Sequence, residues 1–137
     1  MKEVNSTIIH PTIKVLLTYA TSEERVEQEL EKYIQLTKRK LYVLELKGVI
    51  VGCIGIEFAS TGICEIKHIA VSPVERGRKL GSKMVDYVCN KHALRSIFAE
   101  TDIDAVDFYR NYGFEITSLA EKYPGVERFI CVCSIPQ

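Results

Sequence analysis

Residues Val71 to Val85, VSPVERGRKLGSKMV, constrain the fold more than any other stretch of the chain. A β-rich run is broken at Pro73, and a short basic loop carrying Gly77 and Gly81 follows. Leu80, Met84, Val85 and Val88 then recur on one face of a helix. A strand that feeds a helix through a tight loop begins a crossover. The strand expected at Ser96 to Glu100 should therefore lie parallel to the one at 63 to 71. The junction also suits a polyanion, because N–H groups at a helix start lack partners and the helix dipole adds partial positive charge. Gly77 and Gly81 let the backbone bend and approach closely. Arg76, Arg78, Lys79 and Lys83 set four cations here, while over the whole chain 18 basic and 18 acidic residues cancel. The positive charge is local.

Elsewhere the pattern alternates between helix and strand signals. Thr21 and Ser22 precede Glu23 and Glu24, and Val26, Leu30, Tyr33 and Ile34 follow at helical spacing, which predicts a helix over 22 to 38. Pro11 to Ala20 is read as a shorter helix, with a strand left open by Ile13, Val15, Leu16 and Leu17. LYVLELKGVIVGCIGIEFA reads as two strands around Lys47-Gly48, and a third runs from Ile63 to Val71. Thr101 to Asp104 cap a further helix, DAVDFYRNYGF, that ends at Gly113, and two strands near 114 to 119 and 127 to 134 close the chain. The order α-α-β-β-β-α-β-α-β-β describes an α/β (α+β) mixed sheet with helices on both faces, expected as a single domain over residues 1 to 137.

Composition narrows the function classes. With 47% hydrophobic and 26% charged residues the chain falls in the globular class rather than the disordered or fibrous ones. No apolar run reaches the roughly 20 residues of a membrane span, and MKEVNSTIIHPTIK holds no apolar core of signal-peptide length, so no membrane partner and a cytoplasmic location are expected. Cys53, Cys64, Cys89, Cys131 and Cys133 are odd in number and lack Cys-x-x-Cys spacing, which favours reduced thiols and gives no metal assignment. The basic cluster is small and has no interleaved aromatic platform, which speaks against nucleic acid. No Gly-Lys-Ser/Thr follows the loop and no G-x-G-x-x-G occurs, so neither a P-loop nor a dinucleotide site fits.

Two motifs bring the chain to a known family. EIKHIAVSPVERGRKLGS resembles the fourth strand and pyrophosphate loop of the GNAT superfamily of acetyl-CoA-dependent N-acetyltransferases, whose loop pattern is [QR]-x-x-G-x-[GA]. Here the loop reads Arg76, Gly77, Arg78, Lys79, Leu80, Gly81, with Lys79 where that family expects glycine. DIDAVDFYRNYGF is similar to the family helix that carries a Phe-Tyr pair, here Phe108-Tyr109, and then Gly113-Phe114. The resemblance covers essentially the whole chain and implies a GNAT-like fold with acetyl-CoA as acyl donor.

It also implies roles. The diphosphate of acetyl-CoA would rest on the amides of Arg78 to Ser82, with Arg76, Arg78, Lys79 or Lys83 neutralising charge. Backbone groups of Ile69, Ala70 and Val71 would hold the pantetheine arm and acetyl oxygen. Tyr109 would protonate the departing thiolate, which is chemically apt because a phenol near pKa 10 keeps its proton at neutral pH; on the apolar side of its helix near Ala105 and Tyr112, it reads alternatively as a packed core aromatic. Asp102 sits where the family often has asparagine near the cofactor, and it reads equally as a helix cap. A base must uncharge the amine: Glu65 matches a glutamate used by some members, and His68 competes through its more suitable pKa. Strand alternation sets 65 and 68 on opposite faces unless a bulge intervenes, so one of them at most is expected to face the acceptor.

The acceptor is expected to be a small-molecule or peptidic primary amine, contacted from roughly 11 to 38 and 119 to 126. Glu23, Glu24, Glu27, Glu29 and Glu31 suit a cationic amine or, equally, a solvated helix face. The resemblance leaves a homodimer open. The alternative function is a non-catalytic acyl-CoA-binding module.

Overall fold

The computed structural model describes residues 1–136. Its sheet has seven strands in the order β1-β2-β3-β4-β5-β7-β6, with β1 Lys2–Glu3, β2 Arg39–Leu46, β3 Val49–Ser60, β4 Ile63–Val71, β5 Ser96–Asp102, β6 Glu115–Tyr123 and β7 Val126–Ser134. Four helices cover it: α1 Pro11–Leu17, α2 Glu23–Gln35, α3 Leu80–Lys91 and α4 Val106–Tyr112. All neighbouring strands are antiparallel except β4 and β5, joined by the α3 crossover, which are parallel as the sequence predicts.

The open reading of 11 to 20 resolves as helix. Pro11 opens α1 where a missing N–H costs nothing, His10 Nδ1 accepts from the Thr12 amide, and Ile13, Leu16 and Leu17 are buried. Helix α2 starts after Ser22 with Glu23 and Glu24 in its first turn, but it ends at Gln35 rather than 38 because Arg39 already pairs with Glu57 across β2 and β3. The two-residue β1 and a 3₁₀ turn at Pro73–Glu75 are too short to leave a periodic signal.

Two cores form, one on each sheet face. Ile13, Leu16, Leu17, Val26 and Leu30 of α1 and α2 pack on Leu41, Val43, Cys53 and Ala70. Met84, Val85, Val88 and Val106 of α3 and α4 pack on Ile54, Ile56, Cys64, Ile66 and Ile97. Each face thus buries enough apolar surface to fix its helices on the sheet.

Candidate active site

The sheet parts where β4 leaves β5. Their parallel pairing is confined to Ile63, Cys64 and Glu65, opposite Ser96, Ile97 and Phe98, while β5 continues paired to β7 through Asp102. From Ile66 to Val71, β4 keeps only its β3 neighbour. Ladder alternation then sorts the exposed backbone. Ser72 N–H donates to Val51 O at 2.7 Å, so residues 72 and 70 turn their main-chain groups to β3, and Ile69 and Val71 turn theirs into the opening. Of the three residues expected to hold the acyl arm, Ile69 and Val71 turn their main chain into the opening, whereas the Ala70 backbone is committed to β3.

A β-bulge determines this phase. Gly55 lies opposite His68 and Ile56 opposite Ile66, which leaves Lys67 as an extra residue in β4. Before the bulge Cys64 and Ile66 point to the α3/α4 core; after it Ile69 and Val71 pack there and Ala70 joins the α1/α2 core. Glu65 and His68 therefore share the α2 face. The expectation of opposite faces is corrected by the inserted residue.

At the mouth of the opening the loop after β4 forms a cradle. None of the amides from Gly77 to Ser82 donates to an acceptor among the described residues; the first bonded amide of α3 is Lys83, to Lys79 O. Lys79 adopts the left-handed conformation, φ 60° and ψ 27°, which glycine takes without strain. Leu80 contributes its amide only, since its side chain is core. Gly81 has a second duty: a Cβ there would stand 2.8 Å from the Phe108 ring, so the glycine lets α4 pack against α3.

The four cations divide. Arg78 is paired with Glu75, and Arg76 donates from Nε to Val71 O at 3.2 Å while stacking over Tyr19. Lys79 and Lys83 have no acidic partner among the described residues. Two surface hollows lie elsewhere, between the N-terminal segment and α2; the loop is an open cradle rather than a cavity.

Tyr109 is 5% exposed, wedged edge-on between Phe108 and Phe114. Its hydroxyl has no hydrogen-bond partner among the described residues, yet it is not sealed from the surface. Burial, with Cys131 beside it, pushes its pKa well above the usual phenol, so it holds its proton throughout the neutral range. Asp102 closes the turn that leads into α4: its Oδ1 accepts from the amides of Asp104 and Ala105, both at 3.1 Å.

Glu65 is half-buried and pairs with Lys67 at 3.4 Å. His68 is sealed. Tyr33 donates its hydroxyl proton to His68 Nδ1 at 2.5 Å, and Nε2 faces Glu29 Oε1 at 3.5 Å. Burial lowers the imidazole pKa to about 4 despite the opposing pull of Glu29, so His68 is neutral in the neutral pH range, with Tyr33 and Glu29 facing its two nitrogens. Glu29 is in turn bound by Arg39 Nη1 at 3.0 Å, and Arg39 Nε holds Glu57 at 2.8 Å. Burial raises the Glu29 carboxyl, but the Arg39 and Lys32 hydrogen bonds outweigh it and bring the pKa to about 2. Sequence reading missed Tyr33, Arg39 and Glu57. Tyr33 hides in the apolar stripe of α2, and Arg39 and Glu57 look like ordinary strand-end charges.

A parted strand edge beside an anion cradle suits a long donor with a diphosphate at one end and an amide-rich arm at the other, the layout of an acyl-CoA-dependent acyltransferase. Residues 37–116 match the acetyltransferase (GNAT) domain. The chain therefore belongs to the GNAT superfamily of acetyl-CoA-dependent N-acetyltransferases. An uncharacterized N-acetyltransferase of Schizosaccharomyces pombe is 28% identical over 108 residues, covering 74% of this chain and 66% of that protein. A GNAT acetyltransferase from Elizabethkingia anophelis, solved with acetyl-CoA bound, superposes with a TM-score of 0.75 at 20% identity over 98% of this chain and 96% of its own. The aminoglycoside 6'-N-acetyltransferase of Enterococcus faecium superposes with a TM-score of 0.75 at 17% identity over 100% and 99%. At such identities these structures establish the fold.

Proposed function

We propose that the chain transfers the acetyl group of acetyl-CoA to a primary amine of a small-molecule or peptidic acceptor, by direct attack within a ternary complex. The observation that carries this reading is the run of unbonded amides from Gly77 to Ser82, continuous with the open edge at Ile69 and Val71. Those groups fit a diphosphate and a peptide-like arm without rearrangement of the sheet, and Lys79 and Lys83 supply cations. Bound there, acetyl-CoA brings an activated thioester carbonyl and a thiolate leaving group.

The chain's own residues provide the rest. An N–H of β4 directed into the opening, from Ile69 or Val71, stabilises negative charge on the carbonyl oxygen, worth about 3 kcal/mol in comparable donors. Glu65 accepts the amine's proton, directly or through water. Tyr109 supplies a proton to the thiolate from a hydroxyl that no other group among the described residues engages. A covalent cysteine route is disfavoured, since burial pushes the thiols of Cys53 and Cys89 up to about 12 and that of Cys64 up to about 11. The five free thiols also suit a cytoplasmic setting. No helix among the described residues is long and apolar enough to cross a membrane.

A thiol-release assay over a panel of amines tests the reading. Release should require an amine, and Tyr109→Phe should lower kcat roughly 10- to 1000-fold with acetyl-CoA affinity little changed. Because the hydroxyl makes no hydrogen bond among the described residues, thermal stability should stay within about 0.5 kcal/mol of wild type. Acetyl-CoA binding with no amine-dependent release would favour a binding module instead.

A further inference from the structure

The sealed imidazole on β4 has a use that its chemistry alone does not reveal. We propose that His68 is a positioning residue: gripped by Tyr33 and Glu29 of α2, it selects the bulged register of β4 and so decides which amides of that strand face the acyl donor. The inference rests on the proposed function for the word donor, and on geometry alone for the register.

Without the extra residue at Lys67, alternation carried straight on from Glu65 would send the His68 side chain toward the core of Met84, Val85, Val88 and Ile97 and away from Tyr33 and Glu29. It would also turn the His68 and Ala70 backbones, instead of those of Ile69 and Val71, into the opening. Burying an imidazole unpaired is costly, whereas on the α2 side both ring nitrogens are met. The grip is built from three elements, since Arg39 of β2 holds Glu29 of α2 and Glu57 of β3. Gly55, directly opposite His68 on β3, is the opening through which Tyr33 reaches: a Cβ there would lie 1.8 Å from the Tyr33 hydroxyl. Six positions from four elements thus converge on one register choice beside the parted edge.

The test compares His68→Leu, His68→Gln and Tyr33→Phe at a temperature where each is folded by circular dichroism. Glutamine can accept from Tyr33 and donate to Glu29 but cannot serve as a base. His68→Leu and Tyr33→Phe should lower kcat at least about 10-fold and raise KM for acetyl-CoA, while His68→Gln recovers to within about 3-fold of wild type. Amide exchange followed by NMR reads the register without any substrate. Wild type should protect Ala70 and leave Ile69 and Val71 fast, and Tyr33→Phe should lose at least about 10-fold of the Ala70 protection. Equal impairment of His68→Gln and His68→Leu would overturn the proposal, as would normal turnover and intact Ala70 protection in Tyr33→Phe. Should His68→Leu not fold, Tyr33→Phe and the exchange pattern decide. If the wild type itself released no thiol, the exchange result would still judge the register while the proposed function failed separately.

Discussion

Replacing Lys79 with glycine should move stability and affinity in opposite directions. Lys79 holds φ 60° and ψ 27° at the start of α3. Left-handed backbone costs an L-residue about 1–2 kcal/mol, and glycine gives back about 0.5–1 kcal/mol through its freer unfolded chain. Lys79→Gly should therefore stabilise the fold by about 0.5–1 kcal/mol, a rise in Tm of roughly 2–4 °C for a domain of this size. The lysine is exposed and has no acidic partner among the described residues, so its pull on phosphate is that of a solvent-screened ion contact, about 0.5–1 kcal/mol. Acetyl-CoA should bind about 2- to 5-fold more weakly at low salt, with the difference shrinking as ionic strength rises. Differential scanning calorimetry and isothermal titration on Lys79→Gly and Lys79→Gln separate the two effects. The glutamine variant keeps the strain and loses the charge, so it should lose affinity without gaining Tm. A lower Tm in Lys79→Gly, or unchanged low-salt affinity in both variants, would refute the reasoning.

Three further outcomes follow from the same geometry. Ser82→Glu places an anion in the cradle on a partly exposed position and should weaken acetyl-CoA binding at least about 10-fold, measured by titration, with Tm nearly unchanged. Arg39→Met leaves Glu29 and Glu57 without their shared cation and should cost about 3–5 kcal/mol in urea unfolding, as for other broken buried pairs. Acidification should destabilise the fold in two stages. Between the ordinary histidine pKa of 6.5 and about 4, the unfolded chain binds a proton that folded His68 refuses, which removes up to about 3 kcal/mol as pH falls. Below about 4.5 Glu29, held near 2 when folded, adds a second loss. His68→Gln should flatten the upper stage alone in a series of urea melts against pH.

Periodicity made the layers legible, because Val26 and Leu30 on α2 or Met84, Val85 and Val88 on α3 can bury only one stripe each, and a helical crossover forces β4 and β5 parallel. The cradle was legible for the same reason: a strand, two glycines and a helix start have few other uses. What stayed hidden is the detail that depends on tertiary context. Ile66 to Val71 reads as one continuous strand, so neither the loss of pairing to β5 nor the inserted Lys67 shows in the spacing. The bulge reverses which residues share a face, which is why Glu65 and His68 were set apart by alternation and brought together by the structure. Gly55 looks like any strand glycine until the Tyr33 hydroxyl is found in its place. Asp102 offered a cap and a ligand position on equal terms, and its Oδ1 is taken up by the turn amides of Asp104 and Ala105 ahead of α4.

A crystal structure of the chain with coenzyme A tests the central claim most directly. The account predicts the diphosphate on the amides from Gly77 to Ser82, the pantetheine arm bonded to Ile69 and Val71, and the sulfur within hydrogen-bond reach of the Tyr109 hydroxyl. A ligand seated away from that loop, or an arm running along any edge other than the open side of β4, would contradict it.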